Sequence, residues 1–152
     1  MPEIWFYHLM GQSMERALPI LLERTLARGW RAVVEAADEE RLQALDELLW
    51  TYSDETFLAH GRASDGDPDL QPIWLTCGQD NPNSAQVRFF VGGAPTRVDA
   101  DQGYERIILM FDGADDEQVA AAREQWRALR NRGEGKLSYW RQAEDGRWTK
   151  MD

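Results

Sequence analysis

The chain has 152 residues, 43% hydrophobic and 11% aromatic, which suits one compact domain, 1–152, with a core of its own. Its 27 acidic residues outnumber 17 Lys and Arg to give a net charge of −10, a field that repels phosphate and so disfavours whole-surface binding to nucleic acid or an anionic membrane. One cysteine, Cys77, excludes an internal disulfide and any multi-cysteine metal site. No apolar run reaches the ~18–20 residues of a membrane span, and the N-terminus lacks the pattern of a signal peptide, so a soluble cytoplasmic protein is expected.

In chain order, Ile4 to Met10 is a nearly continuous apolar and aromatic run, as expected of a strand buried on both faces. Apolar residues at Ala17, Leu18, Leu21, Leu22 and Leu26 then predict an amphipathic helix from Met14 that Gly29 ends, with Pro19 either kinking it or lying in its first turn. A second strand over Arg31–Ala36 and a helix from about Glu39 to Trp50 complete a strand-helix-strand-helix opening, the mark of an open α/β sheet. Residues 61–72 mix Gly, Asp, Ser and Pro without periodicity and read as a mobile loop. Three strands follow, at Ile73–Thr76, Gln86–Val91 and Arg106–Phe111. Asp115 has the position of a helix N-cap, with Gln118 three residues on, and the helix should run to about Arg132 and stop at Gly133. Asp145-Gly146 marks the turn of a final hairpin within 137–150.

The usual signs of catalysis are absent. The first strand-to-helix junction, Met10-Gly11-Gln12-Ser13, has neither of the glycine spacings that let backbone amides cradle phosphate, and Gly92-Gly93 reads as a turn. The two histidines, His8 and His60, lie in separate segments, so a zinc site with Cys77 would be a coincidence. Acidic runs at Asp38-Glu39-Glu40 and Asp115-Asp116-Glu117 fall at helix starts, where the macrodipole accounts for them. No catalytic residue, metal or cofactor is expected.

Two patches suggest contact instead. On the last helix Val119, Arg123, Trp126 and Arg130 fall within about 60° of one another, with Arg127 at the edge, at 100° per residue. Guanidinium groups beside an indole can pair with carboxylates while the ring seats an apolar side chain, matching a short acidic peptide that ends in an aromatic residue and a free carboxylate. The same pattern also fits a core tryptophan with arginines favoured by the helix C-terminus. The second patch is Leu49-Trp50 with Phe57, large apolar groups where a helix passes into a loop, a place that suits either core packing or an anchor for a protein partner.

Taken together, Phe6-Tyr7-His8-Leu9, Arg28-Gly29-Trp30-Arg31, Leu45 to Trp50 followed by Phe57-Leu58-Ala59-His60, and Ala122 to Arg127 before Leu137-Ser138-Tyr139-Trp140 resemble the chi subunit of bacterial DNA polymerase III holoenzyme, in order and in spacing. The resemblance implies an α/β open mixed sheet flanked by helices, nucleotide-binding-like in topology but without a phosphate loop. It implies a non-catalytic accessory subunit with two partners: the psi subunit of the clamp loader, at the positions of Leu49, Trp50 and Phe57, and the acidic C-terminal tail of single-stranded DNA-binding protein, on the face of Val119, Arg123, Trp126, Arg127 and Arg130. Trp126 stands where the family has a tyrosine and Val119 where it has a basic residue, a charge that Arg127 or Arg130 would have to replace. The alternatives are a small nucleotide- or phosphate-processing enzyme on the same fold, suggested by the βαβα opening, and direct single-strand binding through the tryptophans, which the net charge opposes.

Overall fold

A computed structural model of the chain describes residues 3–10, 13–51, 58–78, 80–94, 103–133, 136–142 and 147–151. Among these residues eight strands form one sheet: β1 (Glu3–Leu9), β2 (Ala32–Glu35), β3 (His60–Gly61), β4 (Ile73–Thr76), β5 (Val87–Phe90), β6 (Arg106–Asp112), β7 (Lys136–Gln142) and β8 (Trp148–Lys150). Their spatial order is β3-β4-β2-β5-β6-β1-β7-β8. Every pairing from β3 to β7 is parallel, and β8 closes one edge antiparallel to β7. The sheet is thus the open mixed α/β sheet expected.

Among the described residues three α-helices cover it: α1 (Met14–Ala27), α2 (Glu39–Thr51) and α3 (Asp116–Arg132). Leu18 and Leu22 of α1 and Leu42, Leu45 and Leu49 of α2 pack with Tyr7 and Leu9 of β1 on one face. Ala122 and Leu129 of α3 pack with Ile4 and Phe6 on the other. Alternate residues of one strand therefore feed two cores, and this is why its sequence reads as a continuous apolar run. Helices α1 and α2 carry the chain toward the β3 edge, whereas α3 carries it from β6 past β1 to β7. Crossovers in opposite directions need opposite faces if each is to be right-handed, so the order of strands itself dictates on which side α3 lies.

Local chemistry sets the helix limits. The Asp115 carboxylate accepts hydrogen bonds from the Glu117 and Gln118 amides, and the Gly133 amide returns to Leu129 and Arg130 with φ 66°. Gln118, three residues after the cap, does not reach back to the Asp115 amide as in a capping box: its side-chain oxygen accepts from the Asp112 amide at 3.0 Å. Pro19 lies in the second turn of α1, buried, not in the first. The segment read as a loop contains two short 3-10 turns, Ala63–Asp65 and Pro68–Leu70, and its first residue, Gly61, belongs to β3. Two residues of strand are too few for periodicity to reveal. Residues 143–146, with the predicted turn, lie outside the described residues.

Between the paired strands β2 and β5, Glu35 and Arg88 form a buried ion pair, each 2% exposed. Arg88 also donates to the carbonyls of Gly78 and Asp80 and to the Tyr104 hydroxyl, while the Asp80 carboxylate accepts from Trp74 Nε1 at 2.7 Å and from the Thr76 hydroxyl at 2.6 Å. Strands β2, β4 and β5 and the segment after β4 are thereby tied into one polar network.

Candidate functional site

The carboxyl ends of β1 and β6, from which the chain departs in opposite directions, form the switch point where open α/β sheets hold their ligands. Here that crevice, about 250 Å³, is walled by Leu9, Met14, Leu45, Leu48 and Met110. Arg41, also in its lining, pairs with Asp38 at 3.3 Å, and the acidic residues Glu15 and Asp112 line the same space. Apolar walls beside two carboxylates are a poor setting for a phosphate.

A different cleft, about 310 Å³, opens between α3 and β7 and is lined by Arg123, Trp126, Arg127, Tyr139 and Met151. Parallel pairing of β7 with β1 places Tyr139 opposite Phe6 and Arg141 opposite His8. The Trp126 ring meets Phe6 edge-on at 5.2 Å and Tyr139 at 5.6 Å. Half-buried, it therefore does both things the sequence allowed: one side packs on the core and the other lines the cleft. Met151 arrives because its amide donates to the Tyr139 carbonyl at 2.7 Å, which prolongs the β7–β8 pairing by one residue.

Under the cleft, His8 Nδ1 and the Tyr139 hydroxyl share a hydrogen bond of 2.8 Å, and the His8 ring lies against Phe111 at 4.8 Å. Burial, reinforced by the positive charges of Arg141 and Arg123, holds the His8 imidazole below its ordinary value. Burial raises the Tyr139 hydroxyl, against the pull of the same two arginines. Both shifts report a site that is partly dry and positively charged inside an acidic protein.

Of the five residues assigned to this face from the sequence, Arg123, Trp126 and Arg127 line the cleft together. Val119 instead packs against the second core, and Arg130 is exposed in the last turn of α3. Tyr139 and Met151 complete the lining, His8 holds the Tyr139 hydroxyl and Arg141 acts on both through its charge, and none of the four was assigned to the site from sequence. Helical periodicity finds residues on one helix; these four come from β1, from β7 and from the residue after β8, and only the strand order brings them there.

The second patch is divided. Trp50 is 58% exposed, whereas Leu49 is buried in the core beneath it, so only Trp50 of the two presents a surface. Phe57 lies outside the described residues. The Trp50 ring meets His60 at 5.0 Å, and His60 is held by the Leu58 carbonyl at 2.7 Å and the Asp46 carboxylate at 2.9 Å. His60 is on β3 and His8 on β1, five strand spacings apart in the sheet or about 24 Å, so they share no metal site. Among the described residues no cluster of three metal-ligating side chains occurs. Cys77 is exposed and donates to Glu39, which raises its thiol above the ordinary value. No helix among the described residues is long and apolar enough to cross a membrane.

Fold and site together define an open α/β protein with helices on both faces and a cationic, aromatic-walled cleft on its surface. Residues 1–135 match the family described as DNA polymerase III chi subunit, HolC, and the chain belongs to that family. A relative from Rickettsia prowazekii, described as a probable DNA polymerase III subunit chi, is 29% identical over 119 residues, covering 74% of this chain and 71% of that protein. The chain is accordingly an accessory subunit of a replicative polymerase complex. Helix α3 lies within the matched residues, whereas Tyr139, Arg141 and Met151 lie beyond them.

Proposed function

We propose that this chain works by contact alone, linking the clamp-loader complex, through psi or its equivalent, to the acidic C-terminal tail of single-stranded DNA-binding protein. The observation that carries the reading is the cleft between α3 and β7. Two guanidinium groups, Arg123 and Arg127, border an indole and a phenol in a molecule of net charge −10. Carboxylates of a tail peptide pair with the arginines, and its terminal aromatic side chain occupies the apolar part of the cleft between Trp126 and Met151. Arg127 supplies the charge that Val119 lacks. On the opposite side of the molecule's sheet order, exposed Trp50, seated on His60, anchors the psi surface, with Leu49 supporting it from the core.

Titrating an aspartate-rich peptide ending in phenylalanine with a free carboxylate tests the first contact. Wild type binds in the micromolar range, and Arg123→Ala weakens binding about tenfold or more, the cost of one charge-assisted hydrogen bond. Equal affinity for both proteins would remove the site. Trp50→Ala should leave tail binding intact and abolish co-purification with psi.

The alternative of a phosphate-processing enzyme is disfavoured by the apolar, carboxylate-flanked crevice at the switch point. Nucleotides should leave the melting temperature unchanged, where a ligand at a hundred times its dissociation constant would add about 2.7 kcal/mol.

A further inference from the structure

The hydrogen bond between His8 Nδ1 and the Tyr139 hydroxyl contains one proton, and the state of His8 decides which way it runs. A neutral imidazole can accept at Nδ1, and Tyr139 then spends its only proton on the ring and offers the cleft nothing but lone pairs. An imidazolium must donate at Nδ1, so the hydroxyl proton is released to point elsewhere. Elsewhere is the cleft, because Tyr139 lines it.

Resting on the tail-binding reading above, we propose that His8 is a positioning residue for this cleft: its protonated form turns Tyr139 into a hydrogen-bond donor toward a docked carboxylate, so that peptide binding and proton uptake are coupled.

The surroundings of the ring favour such coupling. Phe111 of β6 presents only an aromatic face, Arg141 of β7 and Arg123 of α3 bring positive charge, and the turn after β6 presents Gly113. Asp112, the next residue of β6, faces the crevice on the other side of the sheet. In the free protein both arginines oppose a charge on His8. A carboxylate that pairs with Arg123 cancels part of that opposition and gains a donor from Tyr139, and both effects favour the imidazolium when peptide is bound. Linkage fixes the sign: if the bound state holds the proton more tightly, affinity rises as pH falls through the window below neutrality. The ring is also confined. A β-carbon at position 113 would lie 2.6 Å from His8 Nε2 and 2.6 Å from the Leu9 carbonyl, so only glycine leaves the imidazole where it can reach Tyr139.

The test is the affinity of the same aspartate-rich, phenylalanine-ending peptide between pH 8 and 5.5 at fixed ionic strength, for wild type, His8→Gln, Tyr139→Phe and Arg123→Ala. Calorimetry in two buffers of different ionisation enthalpy counts the protons taken up. Wild type should gain about three- to tenfold in affinity toward pH 5.5, the factor given by half a unit to one unit of pKa change, with net proton uptake. His8→Gln should lose both the gain and the uptake, and Tyr139→Phe should keep only the part that comes from relief of the Arg123 charge; a Tyr139→Phe protein with the full wild-type gain would overturn the part played by the hydroxyl. Binding that is intact in wild type but independent of pH overturns the role of His8 and leaves the tail site standing. So does an equal slope in wild type and His8→Gln, which would assign the titration to the peptide. Absence of binding at every pH, or binding insensitive to Arg123→Ala, overturns the tail site and the coupling with it.

Discussion

At the scale of single residues, two positions show how little freedom the site and its support allow. Gly113→Ala would drive a methyl group into the His8 ring and the Leu9 carbonyl. The strain should cost about 1–3 kcal/mol, read as a lower urea midpoint with the slope unchanged, and the His8 ring signals should shift in an NMR spectrum. Glu35 is the second position. Removing it as Glu35→Ala strands the Arg88 guanidinium in the interior and should cost about 3–5 kcal/mol in urea unfolding, whereas Glu35→Leu with Arg88→Met should recover only part of the loss, because the Gly78 and Asp80 carbonyls and the Tyr104 hydroxyl lose their donor. His8 adds a pH term of its own. Its folded-state value is depressed, so stability present above the ordinary histidine value is lost as pH falls toward the lower, folded one, and His8→Gln should flatten that stretch of the pH–stability curve. None of these roles was legible in sequence. A histidine or an arginine inside a strand pattern carries no mark of what lies opposite it.

At the scale of elements, sequence was a good guide wherever one element explained itself. The apolar stripe of α2, the Asp115 cap and the Gly133 stop of α3 are local chemistry, and they appear within a residue or so of where periodicity and capping rules set them. Asp115→Ala should therefore cost about 1 kcal/mol and speed hydrogen exchange at the Glu117 and Gln118 amides before it affects Leu129. Sequence was a poor guide to β3, whose two residues exist as strand because β4 lies beside them. For the cleft it was half a guide. The arginines and indole of α3 share a face by helical geometry, but the phenol and histidine that complete the site come from β7 and β1, and their meeting depends on α3 crossing over β1. Val119 shows the limit of a helical wheel: a residue on the correct arc can still pack inward if it lies where the helix meets the sheet.

At the scale of the whole molecule, net charge and cleft charge act over different distances. The −10 field extends about a Debye length and slows the approach of an acidic tail, while Arg123 and Arg127 act only at contact. Added salt should therefore weaken tail binding through faster dissociation, with an association rate that is flat or rises slightly. Stopped-flow measurements between 0.05 and 0.5 M salt, a range of about threefold in screening length, would separate the two. A falling association rate would mean that the cleft's field, not the molecule's, guides the encounter.

The parallel pairing of β1 has a consequence for biogenesis. Its neighbours β6 and β7 begin 103 and 133 residues after Glu3, so during translation the strand waits for most of the chain before either side is satisfied. Until then Ile4-Trp5-Phe6-Tyr7 is an apolar strand with two open edges, the kind of segment that chaperones hold and that aggregates when they do not. When β7 docks, the same step closes the last edge of β1 and creates the wall of the cleft. If the cleft takes the tail as proposed, a nascent or truncated chain without β7 has no wall to bind it, and competence to bind should arrive together with the docking of that strand.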